Sequence, residues 1–389
     1  MLGRDKWSIA KACLYKRPGF PFYTARALLL LSGGQVELVQ FEIPGEGRGV
    51  GVLHGDAVLD VTAHRPELRY LFDVVETAWR ANQSLEDFLR SLLRSGTGGM
   101  LDWASLWRAA PGSGEPFLLC PLDHHDWHHV LVSGTGLSHL GSMQSRDQMH
   151  RVDSLPSRDA AATQSPSTDS ARMFARGVEG GKPATGVRGE APEWFYKGNG
   201  GILRGHRAAL EVPAFAIDGG EEPEIVGCFV IDAAGRPRRM GFALGNEWSD
   251  HATEKISYLH LAPSKLRTCA MGPTLNTHSD FQDISLRCSV VRRGNKIYDS
   301  GELKSGERWM CHSLRNLEDH HFKYPQHRRP GDVHLHFFGT SRLSFGTRQW
   351  KFEADDEIRI EAPGFSPTLV NRVALVRPTI AEPIVVAPA

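Results

Sequence analysis

The chain has 389 residues, 41% hydrophobic and 23% charged, an ordinary globular composition long enough for two domains or one large domain with an appendage. Lys plus Arg and Asp plus Glu are equal at 45 each, so no net field argues for a nucleic-acid or anionic-membrane partner. Cys13, Cys120, Cys228, Cys269, Cys288 and Cys311 form no CxxC pair, which speaks against a disulfide scaffold or zinc knuckle and for a reducing compartment.

Residues 1–34 carry no periodic pattern, and Arg17-Pro18-Gly19-Phe20-Pro21 breaks any helix there. The apolar run Leu28–Leu31 is too short for a membrane span and too close to Arg26 for a signal-peptide core. A leader or disordered extension on a cytoplasmic protein is expected. From Gln35 the alternation of Val36, Leu38 and Phe41, then Val50, Val52 and Leu53, predicts a hairpin through Pro44-Gly45. Helical periodicity follows in two runs, Leu68, Leu71, Val74 and Val75, then Leu85, Phe88, Leu89 and Leu92, with Gly96 to Gly99 as the stop. Together these outline a small N-terminal α/β domain, 35–115, and Pro111-Gly112-Ser113-Gly114 reads as its linker to a larger body, 120–389. The polar stretch Asp153–Arg188 suggests a lid or mobile insertion. Short strands are predicted at Glu193–Lys197, Glu224–Ile231, Met240–Leu244, Ser285–Val291, Val333–Phe338 and Glu357–Ile360. The body reads as a β-rich α+β fold.

Glu222 and Glu224 stand two apart at the entrance to the apolar run Ile225–Ile231. In an extended strand they share one face, and two like charges so placed call for something positive between them. A divalent cation is the economical answer. The turn Asp232-Ala-Ala-Gly235 sends the chain back, and a hairpin centred between Ala234 and Gly235 sets Glu247 opposite Glu222. Ligation by three carboxylates selects a hard ion, Mg²⁺ first, with Mn²⁺ or Ca²⁺ as alternatives. Glu-Glu-Pro-Glu taken alone also reads as a solvated strand entrance; the hairpin register is what favours a metal.

Several phrases resemble the fumarylacetoacetate hydrolase superfamily: Glu222-Pro223-Glu224, Gly245-Asn246-Glu247-Trp248-Ser249, Ser264-Lys265, Met271-Gly272-Pro273 and Pro330-Gly331-Asp332-Val333. Others are similar to its GguC-like sugar-acid branch: Gly134-Thr-Gly-Leu-Ser-His139, Glu193-Trp-Phe-Tyr-Lys197-Gly, Gly245-Asn-Glu-Trp-Ser-Asp-His251 and the run from Arg329 to Gly339-Thr340. The likeness spans about Gln35 to Asn371. It implies a mixed β-roll or barrel, a homodimer, and Glu222, Glu224 and Glu247 as metal ligands, the last replacing a commoner Asp. By the same resemblance Lys197 and Lys265 are active-site lysines and His139 a lid histidine acting in proton transfer. His251 stands where relatives have a substrate-clamping arginine, and Gly339 and Thr340 contact the substrate carboxylate.

The resemblance points to metal-dependent dehydration of a 2-keto-3-deoxy pentonate to 2-oxoglutarate semialdehyde through a metal-stabilised enolate. Hydrolysis of a C–C bond in a 2,4-diketo acid is the rival reading, and a non-catalytic sugar-acid-binding protein the third. The lysines are expected to stabilise charge rather than form a Schiff base. His124-His125 and His128-His129 lack acidic or Cys partners at zinc spacing and read as surface or packing residues. His334 and His336 share one strand face and read as core or supporting histidines. Gly180-Gly181-Lys182 lacks Walker spacing. Glu221, pointing away from Glu222, is expected in solvent.

Overall fold

A computed structural model describes residues 36–94, 99–151, 168–278, 280–377 and 383–389. The leader 1–34, the helix stop at Gly96 and the first part of the Asp153–Arg188 insertion, before residue 168, lie outside the described residues.

The N-terminal alternation forms the hairpin β1 (Glu37–Ile43) and β2 (Gly47–His54), whose turn uses left-handed φ values at Gly45 (83°) and Gly47 (93°). β3 (Ala57–Asp60) and β4 (Met100–Asp102) extend it, and β5 (Phe117–Leu118) pairs with β1. Between β3 and β4 lie the two expected helices, Leu71–Arg80 and Leu85–Arg94. The larger body continues with β6 (Val130–Gly134), β7 (Phe195–Asn199), β8 (Leu203–Arg204), β9 (Ala209–Val212), β10 (Pro223–Ile231), β11 (Pro237–Asn246) and β12 (Cys269–Asn276). β13 (Ile284–Arg292), β14 (Asn295–Asp299), β15 (Leu303–Ser305), β16 (Val333–Phe337), β17 (Glu357–Ala362) and β18 (Phe365–Leu375) complete it.

Among the described residues, twelve strands form one sheet, ten along the path β4-β3-β2-β1-β12-β11-β10-β16-β6-β7 with β5 on β1 and β8 on β12, and six form a second, five along β14-β13-β17-β18-β9 with β15 on β13. Neither path closes on itself, so the α+β class holds but no closed barrel forms. The N-terminal strands join the body's sheet directly, β1 pairing with β12.

β10 is buried along its whole length. One face packs Val226 and Cys228 with Phe337 of β16 and the helix residues Leu71, Val74 and Val75. The other packs Ile225 and Phe229 with Phe242 of β11 and with Leu286, Ile358 and Leu369 of the second sheet. A strand covered on both sides by helices and a second sheet carries an unbroken apolar run rather than an alternating one, which is what residues 225–231 show.

The β10–β11 register decides where the site forms. Pro223 faces Asn246 and Glu224 faces Gly245, while beyond the Cys228/Phe229 step Phe229 faces Arg239 and Ile231 faces Pro237. One extra residue of β11, Met240, is absorbed as a bulge. The turn itself is closed by Asp232 N–H donating to Arg236 O and Gly235 N–H to Asp232 O, so it is centred on Ala234. The bulge restores the half-residue difference, and Glu247 N–H donates to Glu222 O at 3.0 Å.

Trp248, next to Glu247, is fully buried, donates from Nε1 to Glu211 O at 2.8 Å and packs edge-on against Phe352. Trp248→Ala is expected to lower unfolding free energy by about 3–5 kcal/mol, read as a shift in the denaturant midpoint.

Candidate metal centre and active site

Glu222 enters β10, Glu224 is its second residue, and Glu247 follows the last residue of β11. All three side chains are buried, and one oxygen of each lies within 4.8 Å of the others. Lys265, in the short helix Leu261–Lys265, bridges two of them: Nζ is 2.5 Å from Glu222 Oε1 and 3.3 Å from Glu247 Oε2. Lys197 of β7 lies 3.2 Å from Glu247 Oε1 and donates to Trp248 O and Lys265 O at 2.7 and 3.0 Å. His251, first residue of the helix His251–Ile256, sets Nε2 3.0 Å from Glu222 Oε1. Glu224 Oε2 accepts from Gly339 N–H at 2.7 Å. Glu224 Oε1 is buried with no partner.

These contacts divide the charges. Burial by itself would raise the Glu222 carboxyl, but Lys265 and His251 outweigh it and hold the group well below the usual carboxylate range. Glu224 has no cation in direct contact; burial and the charges of Glu247 and Glu222 push it well above that range. Glu247 is raised by burial and by Glu222, against the pull of Lys265 and Lys197. Burial works against the Lys265 charge, yet Glu222, Glu247 and Glu254 reverse the effect and raise it. A lysine held charged in this way suits electrostatic work and not Schiff-base formation. The donor set fits a hard divalent cation: all oxygen, anionic, converging, with an unpartnered buried oxygen on Glu224. Among the described residues no other His/Cys/Asp/Glu group converges so.

A cavity opens above the carboxylates. Glu222, Glu247, His251, Lys265, Gly339 and Thr340 line it, so most of the expected site residues meet in one place. Gly339 has φ 90°, and a Cβ there would lie 2.3 Å from Ser138 Oγ, so the backbone amide reaches Glu224 only because no side chain intervenes. Thr340 Oγ1 donates to Arg342 O at 3.0 Å.

His139 is not among the lining residues. It is buried, with Nδ1 2.9 Å from Ser138 Oγ and Nε2 unpartnered, and burial pushes its pKa down to about 4. The structure therefore does not bring the expected lid histidine to the carboxylates. Glu221 also departs from expectation. It points away from Glu222 but is fully buried, its two oxygens accepting from Ser344 N–H at 2.6 Å and Ser344 Oγ at 2.8 Å. The far side of the strand is core, not solvent.

Arg146 was not foreseen. The helix Leu140–Arg151 turns Ser142, Ser145, Arg146 and Met149 toward the cavity, the i, i+3, i+4, i+7 face of one helix. Arg146 NH1 donates to both oxygens of Glu193 at 2.8 Å, and its Nε lies 2.9 Å from Glu254 Oε1. An arginine thus does stand at the site, although position 251 holds histidine. His336, read from the sequence as a core or supporting histidine, holds Thr135 Oγ1 of the cavity wall at 2.7 Å and Ser133 Oγ at 2.9 Å. His124 and His125 pack on Phe72 and Tyr70, as a surface and packing role requires. The five described cysteines are free and buried, and no described helix is long and apolar enough to cross a membrane.

Glu224 yields a test of the metal site. Because its folded pKa is raised, the metal-free protein gains stability from protonated Glu224 at low pH and loses it as pH rises through the folded value. Glu224→Gln removes that buried charge. At pH 8 in EDTA the variant is expected to melt a few degrees above the parent, about 1–3 kcal/mol. Added Mg²⁺ should raise the parent's Tm and leave the variant's unmoved.

No family model matches the chain, and no curated protein sequence matches it. Solved structures do. A 2-keto-3-deoxyarabinonate dehydratase in a hexagonal crystal form aligns at TM-score 0.61 and 16% identity, covering 88% of this chain and 100% of its own. A 2-keto-3-deoxy-D-arabinonate dehydratase complexed with magnesium and 2,5-dioxopentanoate aligns at 0.59 and 16%, with the same coverage. A fumarylacetoacetate hydrolase from the psychrophile Exiguobacterium antarcticum aligns at 0.54 and 15%, covering 88% and 100%. The chain shares the fold of these enzymes.

Proposed function

We propose that the protein is a metal-dependent lyase that dehydrates a 2-keto-3-deoxy pentonate to 2-oxoglutarate semialdehyde. The observation that carries this reading is the convergence of buried Glu222, Glu224 and Glu247 beneath a cavity, with Lys265 bridging two of them. The fold supports it, since one solved enzyme of the same fold holds magnesium and 2,5-dioxopentanoate, which is 2-oxoglutarate semialdehyde under another name.

Magnesium held by the three glutamates would act as a Lewis acid on the 2-oxo group, making the C3 protons acidic. The remaining work falls to the chain. Lys265 and Lys197 balance the carboxylates and stabilise negative charge that develops on the substrate. The Thr340 hydroxyl, on the cavity wall beside Gly339, would orient the substrate carboxylate by exchanging its bond to Arg342 O for one to the ligand. The wall from Leu140–Arg151, which lines the cavity with Ser142, Ser145, Arg146 and Met149, would limit water around a bound substrate. Loss of a C3 proton and the C4 hydroxyl releases water; the resulting allylic alcohol gives up one C5 proton and its hydroxyl proton while C3 and C4 each take one up, which leaves the aldehyde. Since His139 does not line the cavity, no step is assigned to it.

Purified protein with Mg²⁺ and 2-keto-3-deoxy pentonate should form the semialdehyde, trapped as its hydrazone, and EDTA should reduce the rate at least 100-fold. Pyruvate release from a 2,4-diketo acid, with no semialdehyde from the deoxy acid, would replace the dehydratase with the hydrolase. Tight binding of the deoxy acid without turnover of either substrate would point to the sugar-acid-binding protein.

A further inference from the structure

Each carboxylate of the triad has two oxygens, and the donors upon them are unevenly spread. Glu222 Oε1 meets Lys265 Nζ at 2.5 Å and His251 Nε2 at 3.0 Å, while its Oε2 carries no donor among the described residues. Glu224 Oε2 accepts from Gly339 N–H at 2.7 Å, and its Oε1 has no partner. Glu247 is the exception, because an ammonium group stands at both of its oxygens. Oε1 lies 3.2 Å from Lys197 Nζ and 3.4 Å from Ser249 Oγ, and Oε2 lies 3.3 Å from Lys265 Nζ. A cation drawing one oxygen from each glutamate therefore finds one without a donor on Glu222 and on Glu224. On Glu247 it has to take one from a lysine.

The two lysines are anchored differently. Lys197 is fully buried, is not among the cavity-lining residues, and donates to Trp248 O and Lys265 O at 2.7 and 3.0 Å. Two backbone carbonyls fix it whatever happens at Glu247. Lys265 lines the cavity, and its Nζ is held by the two carboxylates, above the Phe195 ring at 5.0 Å. Of its three donors, the one on Glu247 is at the longer distance. An ammonium and a magnesium ion sharing Glu247 Oε2 would stand about 4 Å apart and repel, since magnesium binds oxygen at about 2.1 Å. Glu222, Glu247 and Glu254 together hold Lys265 in its charged form, so loss of the Glu247 contact leaves two carboxylates in its field.

We propose that Lys265 is a displaceable counter-ion: it yields Glu247 Oε2 to a divalent cation, keeps Glu222 Oε1, and turns the released donor to a 2-oxo acid in the cavity. The inference rests on the reading that Glu222, Glu224 and Glu247 hold that cation. It sets an order of assembly, in which the lysine donor becomes available to the acid only once Glu247 has changed partners. Lys197 keeps its place throughout and holds Glu247 from the other oxygen.

The test needs no turnover. Calorimetry at pH 8 is run first with Mg²⁺ alone, then with pyruvate at saturating Mg²⁺. Lys265→Met keeps the length of the side chain and removes the ammonium. It should bind Mg²⁺ at least fivefold tighter than the parent and pyruvate at least fivefold more weakly. A lysine that only props up the site would weaken both when lost. Mg²⁺ affinity equal to or below the parent's, or an unchanged pyruvate affinity, overturns the proposal. Should Lys265→Met fail to fold, a crystal structure of the parent grown with Mg²⁺ decides. Lys265 Nζ should then lie beyond about 4 Å from Glu247 Oε2 while still bonding Glu222, and a retained contact overturns the proposal. A parent that binds no Mg²⁺ removes the metal reading along with this inference, whereas Mg²⁺ binding without the opposed shifts removes this inference alone.

Discussion

Three carboxylates gathered within 4.8 Å of one another in a buried place repel strongly, and much of the surrounding structure is arranged to bear that repulsion. Lys265 and Lys197 enter from different segments and meet Glu247 on its two oxygens. His251 takes the outer side of Glu222, and the Gly339 amide takes one oxygen of Glu224. Glu224 Oε1 is left buried with no partner. A converging set of buried carboxylates with one such oxygen is a group that could hold a hard cation.

The scaffold explains why this arrangement is rigid. The glutamates sit at the ends of β10 and β11, central strands packed by helices on one face and by a second sheet on the other. Placed on edge strands, the same residues would be free to move apart. The loop after β16 brings Gly339 and Thr340 to the same spot and is pinned through Ser344 to buried Glu221. β10 and the loop after β16 are thereby fastened to each other one residue from Glu222.

Much of this was readable from residues alone. The apolar runs marked the central strands, because burial on both faces leaves a continuous signal in residues 225–231. The spacing of Glu222 and Glu224, with a turn at Asp232–Gly235, brought Glu247 opposite. Other features were hidden for definite reasons. Alternation tells which way Glu221 points but not what covers that side, and coverage comes from Ser344, more than a hundred residues later. Arg146 lies on a helix whose inward face is polar because it lines a cavity, so no apolar stripe advertises it. His139 lies between Leu137 and Ser142, which line the cavity, without lining it itself, and motif spacing alone does not tell which side chains of such a segment face inward. Whether the sheets close depends on pairings between distant strands, about which local patterns are silent.

The extra residue at Met240 has a wider meaning. The hairpin tip and the glutamates are far apart along the strands, yet in a ladder of period two a one-residue change in loop length would swing Glu247 to the opposite face. Accommodating the surplus midway breaks that linkage: the half toward the tip keeps one phase and the half toward the cavity another. Related chains with a tip shorter or longer by one residue can therefore keep the same chemistry if the kink is gained or lost in step, so loop length and bulge are expected to vary together.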